Sequence, residues 1–340
     1  MMPMALCAAA LCAGGAPGQQ KYELSDTDEW HLVESADPAT PAGRLAAARH
    51  AMAGGQNQRA ASLATAWIEQ NPRDPLLPDA YLLRGDALRA DAKYFKALFD
   101  YEFVARAYPA SEAFVTVIQR ELEIGVMYAR GMKRLWLGMR IVNADEVAEE
   151  LLIRVQERMP GSRLAEEAAI ELADYYFRNR DMRLAVEMYS IFLENHPGSD
   201  QVSKARRRLI YAELATFKGP SFDASGLHEA RARLHELIAL EPAAAQRVGA
   251  DALLVRIDES DAQKLLVQAK WYLTTGDPVA CELMIRRLVT HYPRTVAAAD
   301  ALRLMKRVLP RLPTAVLDEA PDYAALERAL LGTPRRDTEP

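Results

Sequence analysis

The sequence predicts an all-α protein, an α-solenoid of about five to six paired-helix repeats with insertions, and three observations carry that expectation. Ala, Leu, Arg and Glu dominate the 340 residues, a composition that suits helices and suits strands poorly. Six segments close on the same punctuation: "QNPRDP" (70–75), "AYPASE" (107–112), "RMPGSR" (158–163), "ENHPGSD" (194–200), "LEPAAA" (240–245) and "HYPRT" (291–295). Counting back from the six prolines then gives the same side-chain pattern each time.

Twelve residues before Pro72, Pro109, Pro160, Pro197, Pro242 and Pro293 stand Ala60, Ala97, Ala148, Ala185, Ala230 and Cys281, all small. Eight residues before stand Ala64, Tyr101, Leu152, Tyr189, Leu234 and Ile285, and five before stand Trp67, Val104, Val155, Phe192, Leu237 and Leu288. Offsets of four and three place all three on one face of an amphipathic helix. The proline disfavours helical geometry in its predecessor and donates no hydrogen bond, so each helix stops there. Ser111, Ser162 and Ser199 follow two residues later, where a hydroxyl can cap the next helix. Asp74 followed by Pro75 reads as a cap with proline at the first helical position. Recurrence at 37 residues or more with paired helices marks an α-solenoid.

The segments before and after the repeats read differently. Residues 1–20, "MMPMALCAAALCAGGAPGQQ", carry no charge before Lys21 and hold an apolar stretch of about ten residues, too short to cross a bilayer and suited to a secretory leader. Small residues at Ala13 and Gly15 offer a processing site, although the leader lacks the usual basic start. Cys12 is the candidate for lipid attachment, but it follows Leu11 where a small residue is usual. Residues 21–40 read as a linker, 41–309 as the solenoid, and 310–340 as a proline-containing tail in which only "DYAALERALL" (322–331) forms a helix, as a cap.

The repeat resembles the tetratricopeptide repeat, which orders small and aromatic residues on two helices before a terminal proline. Leu172, Ala173, Tyr176, Ala185, Tyr189 and Pro197 follow that order, as do Tyr81, Gly85, Leu88, Ala97, Tyr101 and Pro109. Ala269, Tyr272, Cys281 and Pro293 match with cysteine in the small slot, which gives Cys281 a packing role rather than a reactive one.

No catalytic, cofactor-binding or metal-binding set is expected. His196 and His291 lie at repeat turns, and His228 and His235 are seven apart on one helix, about 10 Å along its axis, too far to share a metal. The carboxylates of "NADEVAEE" (143–150) open a helix, where its dipole favours them. "KARRR" (204–208) reads as a solvated face. With 42 Lys+Arg against 47 Asp+Glu, the chain is not built mainly for nucleic acid.

Three insertions interrupt the basic unit. "FKGPSFDASG" (217–226) reads as a connector and "LLVRIDES" (253–260) as either an extra helical turn or a long helix. The third, "ARGMKRLWLGMRIVNA" (129–144), sets Leu135, Trp136, Leu137, Met139, Ile141 and Val142 among Lys133, Arg134 and Arg140. It reads either as a packed loop or short helix covering its own solenoid, or as a docking element for a partner or lipid headgroup. Lys133, Arg134, Trp136 and Arg140 are the docking candidates.

"AVEMYSIFLENHPGSDQVSKARRRLIYAELA" (185–215), read with the leader, resembles the BamD family of outer-membrane β-barrel assembly factors. The resemblance implies a non-enzymatic periplasmic scaffold, usually lipid-anchored to the outer membrane. Its partners would be a barrel-assembly subunit, unfolded outer-membrane proteins or other envelope proteins. Two alternatives stand beside it: a periplasmic scaffold for cell-wall synthesis or division, and, if the leader is no signal, a cytoplasmic repeat adaptor or chaperone cofactor.

Overall fold

The structure is a computed structural model that describes residues 22–24, 30–32 and 37–331. The leader with Cys12, and residues 332–340, lie outside the described residues. The chain divides into two compact units, residues 1–117 and 118–340.

In the first unit, α1 (Pro41–Ala53) pairs with α2 (Asn57–Gln70) and α3 (Leu77–Ala90) with α4 (Tyr94–Ala107). Helix α5 (Ala113–Ala129) carries the chain into the second unit, where its later turns pack on α6 (Asp145–Arg158). There α7 (Arg163–Arg178) pairs with α8 (Met182–Asn195), and α9 (Val202–Thr216) with α10 (Ser225–Leu240). After the short α11 (Pro242–Val248), the 26-residue α12 (Ala250–Thr275) pairs with α13 (Pro278–His291), and α14 (Val296–Val308) packs on both. Six helix pairs result among the described residues, within the five to six that the sequence predicts, and of the two readings of "LLVRIDES" the long helix is the one found.

The six prolines act alike. The residue before each, Asn71, Tyr108, Met159, His196, Glu241 and Tyr292, has φ between −134 and −129° and ψ between 51 and 65°. Each still donates its N–H to the carbonyl four residues back, so the helix closes its last turn and leaves helical geometry at one residue. All eighteen side chains at the three repeat offsets are buried, none more than 3% exposed. Burying each large one contributes about 1.5–3 kcal/mol relative to exposure.

The small slots let helices approach closely. A Cβ added at Gly85 would lie 2.5 Å from Tyr101 Cε1. Tyr101 in turn donates its hydroxyl to Asp86 Oδ1 at 2.7 Å, and Tyr189, its counterpart in the second unit, donates to Asp174 Oδ1 at 2.5 Å. Cys281 is fully buried among Leu266, Ala269 and Ile285, and burial, with Glu282 and Asp277 nearby, pushes its thiol up to about 11. It is an un-ionised packing residue at neutral pH.

Within five pairs the turn after the first helix uses one left-handed residue: Gly55, Ala92, Gly131, Arg180 or Gly276, with φ between 58 and 97°. At each, two N–H groups return to the carbonyls of the last turn, as Ala92 N–H does to Arg89 O and Lys93 N–H to Leu88 O. Gly54-Gly55 thus ends α1.

Several expectations require correction. Two antiparallel hairpins are present: β1 (Tyr22–Leu24) with β2 (Trp30–Leu32), inside the expected linker, and β3 (Arg134–Trp136) with β4 (Met139–Val142). Of the three serines, only Ser162 caps its helix in the expected way, accepting from Ala165 N–H. Ser111 instead donates back to Tyr108 O, and Ser199 donates to Glu166 on α7 while accepting from Gln201 N–H. Asp74 accepts from Leu76 N–H, but α3 starts only at Leu77, with Pro78 rather than Pro75 in its first turn. The tail is more ordered than expected: a 3₁₀ turn (Leu309–Arg311) leads to α15 (Thr314–Glu319) and α16 (Tyr323–Leu331). Helix α16 packs on α14, with Tyr323 buried and bonded to Glu282, so it does close the stack.

Gly85→Ala is expected to destabilise the protein. The helix-propensity gain of about 1 kcal/mol is outweighed by overpacking of about 1–3 kcal/mol against the buried Tyr101 ring. The midpoint of urea denaturation reads the difference. Ala92→Gly is expected to stabilise the protein by about 0.5–1 kcal/mol and so to raise the same midpoint, because a left-handed alanine is strained and a glycine there is not.

Candidate docking surface

The segment 129–144 is where the chain departs most from plain helix pairing. Helix α5 ends at Gly131 (φ +97°), with Gly131 N–H on Tyr128 O at 2.9 Å and Met132 N–H on Met127 O at 3.1 Å. Strands β3 and β4 then pair in the register Arg134↔Val142, Leu135↔Arg140 and Trp136↔Met139, with an irregularity between Arg134 and Leu135. Leu137 and Gly138 make the turn, both with positive φ (47 and 81°), the geometry that matches the twist of a two-residue hairpin. Asn143 reattaches the chain to α6, its Oδ1 accepting from the N–H groups of Ala144 (2.7 Å) and Asp145 (3.2 Å).

This element is neither a short helix nor a cover over its own repeat. Leu137 is 78% exposed, Met139 56%, Ile141 49% and Leu135 46%. The four docking candidates come together in it: Lys133 leads into β3, Arg134 and Trp136 bound β3, and Arg140 lies in β4, its Nη1 donating to Lys133 O at 3.2 Å. The base is held firmly. Arg130 forks onto Glu171 of α7 at 3.1 and 3.0 Å, and Arg178 donates to Ala129 O at 3.2 Å. The sequence hid the hairpin because its turn begins with leucine, where Asn or Asp is the usual signal.

The basic run 204–208 is not a solvated face. Lys204 pairs with Asp174 at 2.7 Å, Arg208 pairs with Asp174 and lies over the Phe177 ring, and Arg206 pairs with Glu241 at 2.7 Å. Burial opposes ionisation of Asp174, but hydrogen bonds from Lys204 and Tyr189, with the charges of Lys204 and Arg208, hold its carboxyl below the usual range. Comparable cross-links join Glu121 to Arg158 (2.7 Å), Glu213 to Arg233 (2.6 Å) and Asp261 to Arg231 (3.0 Å). These buried carboxylates therefore serve helix packing. Beside Glu213, the 217–226 connector, through Phe222, borders an open cavity of about 790 Å³ whose other walls include Met182 and Val186.

The histidines stay apart. His196 ends α8 and lies against Phe192, His291 sits in the last turn of α13, and His228 on α10 is 4.0 Å from Asp261. Among the described residues no group of three or more His, Cys, Asp or Glu side chains is placed to hold a metal ion. Nor is any described helix long and apolar enough to cross a membrane.

The family model YfiO, described as outer membrane lipoprotein, matches residues 142–318, more than half of the chain. The chain belongs to that family. The YfiO match runs from the end of β4 through α6–α14 into α15, so the hairpin stands at its edge and the first unit precedes it. No curated protein sequence matches the chain. Among solved structures, the C-terminal part of a TPR repeat-containing protein from Cytophaga hutchinsonii is 14% identical, over 79% of this chain and 90% of its own, with a TM-score of 0.39. PilW, a type IV pilus biogenesis factor, is 14% identical over 76% of this chain and 96% of its own, with a TM-score of 0.28. The APC/C heterotetramer Cut9–Hcn1 is 15% identical over 81% of this chain and 43% of its own, with a TM-score of 0.29. As a YfiO-family chain built of tetratricopeptide pairs, the protein is an envelope-type interaction scaffold.

Asp174→Asn is expected to lower stability at pH 7 by about 2 kcal/mol, through loss of two charge-assisted bonds. The depressed Asp174 pKa contributes stability above its unfolded value of about 4, and that contribution disappears as pH falls through the folded value. The denaturation midpoints of wild type and variant should therefore converge in acid, which a pH series of urea titrations measures.

Proposed function

We propose that this chain is an outer-membrane β-barrel assembly factor that binds partner proteins through its helical repeats and catalyses no reaction. The observation that carries the reading is the YfiO match over 142–318, which falls on consecutive helix pairs of the second unit. Stacked pairs bound to one another by the buried carboxylates Asp174, on Lys204 and Arg208, and Asp261, on Arg231, present a rigid set of helix faces, and repeat scaffolds of this kind bind peptides and partner domains. The partners of this reading are the barrel-inserting subunit and unfolded outer-membrane proteins. Its location is the periplasmic face of the outer membrane, with Cys12 as the lipid-bearing residue.

Affinity capture of the full chain from detergent-solubilised envelopes is expected to bring down a barrel-inserting membrane protein. Capture of cell-wall synthesis or division enzymes instead would select the cell-wall scaffold, and recovery of unprocessed protein from the cytosol would end both envelope readings. Mass spectrometry of the mature N-terminus from the membrane fraction reads export, cleavage and acylation of Cys12 together.

A further inference from the structure

We propose that the β3–β4 hairpin is a membrane-surface element that dips its apolar tip into an anionic bilayer interface, with Lys133, Arg134 and Arg140 beside the lipid phosphates. The inference goes beyond the assembly reading and holds whichever protein the repeats carry.

The hairpin is apolar on both faces and at its tip. Neighbouring cross-strand pairs point to opposite sides of a sheet. Leu135, opposite Arg140, and Met139, opposite Trp136, therefore belong to different faces. Both are about half exposed, and Leu137 at the turn is 78% exposed. A protein groove that covered one face would leave the other wet, and a strand added to either edge would cover neither. A bilayer interface surrounds an inserted tip on every side, and among the candidate occupants it alone removes Leu135, Leu137, Met139 and Ile141 from water together.

Length and charge agree with that occupant. From Arg134 to Leu137 the strand rises about 10 Å, which matches the depth of about 5–10 Å reached by interfacial elements. Between Glu123 and Asp145 the chain carries Arg130, Lys133, Arg134 and Arg140 and no acidic residue, although the whole chain has a net charge of −5. The segment is thus locally opposite in sign to the rest, so an anionic surface attracts the hairpin while repelling the chain elsewhere. Each cation held near such a surface raises partitioning about fivefold. The bond of Arg140 to Lys133 O sets its guanidinium at the base of the strands rather than at the tip. The Arg130–Glu171 fork fixes that base to α7, so a bound hairpin orients the second unit against the membrane.

The test is flotation of the purified full chain, with Cys12→Ala in every sample so that no acyl chain contributes, with phosphatidylcholine vesicles, with and without phosphatidylglycerol. The wild type is expected to float with the anionic vesicles and to be released by salt. Leu137→Asp with Ile141→Asp should lower the partition coefficient by about tenfold or more, with an unchanged far-ultraviolet circular dichroism spectrum. Lys133→Glu with Arg140→Glu should abolish the preference for anionic over neutral vesicles. Wild-type protein that stays at the bottom of the gradient would overturn the proposal. So would an aspartate variant that floats as the wild type does, since the membrane contact would then lie elsewhere. Either failure leaves the assembly reading standing, because partner capture and not flotation decides that one.

Discussion

A proline that cannot follow a helical residue is the constraint on which the rest of the structure depends. At six places it holds its predecessor near φ −130°, and so ends the second helix of each pair at a set distance from the small residue twelve positions back. That distance matters because one residue of slippage turns a helix face by about 100°. With the stop in place, the residues at offsets of twelve, eight and five face inward together, and all eighteen are buried. The small slot sets how close the helices come, and the residue at offset eight fills the space that the approach leaves, as Tyr101 does over Gly85.

A second layer of order is polar. Asp174 takes bonds from Tyr189 of α8 and from Lys204 and Arg208 of α9, so one carboxylate on α7 links three successive helices. Glu121 with Arg158 and Glu213 with Arg233 join their own helix pairs in the same manner. Removing one partner from such a pair strands a buried charge, which is far more costly than the net worth of the pair. The links therefore favour one arrangement of neighbouring helices over alternatives in which apolar faces alone would fit. Glu171 extends the scheme outward, since its hold on Arg130 positions the base of the hairpin.

The hairpin differs in character from the repeat that carries it. The helix pairs place no metal-binding group among the described residues, and their cysteine is a buried thiol held un-ionised. The apolar side chains of the hairpin, in contrast, remain in contact with water at considerable expense in hydration, on an element tied to the scaffold at its base. Exposed apolar surface of this kind marks interaction. The YfiO match begins where the hairpin ends, so this exposed apolar surface stands at the edge of what the family shares.

The sequence by itself determined the helix pairs, their six stops, the buried repeat positions, the packing role of Cys281 and the long helix around 253–260. Each depends on residues near one another in the chain, through periodicity, proline sterics and side-chain size. It also singled out segment 129–144 by its mixture of apolar and basic residues. Only the tertiary structure decided that this segment is a hairpin, that Ser199 bonds across to Glu166 rather than capping α9, and that 204–208 is bound to Asp174 and Glu241 rather than solvated. The hairpin escaped because its turn begins with leucine, which lacks the usual Asn or Asp signal. The partner of a polar or charged side chain is brought from a distant part of the chain, and local patterning carries no record of it.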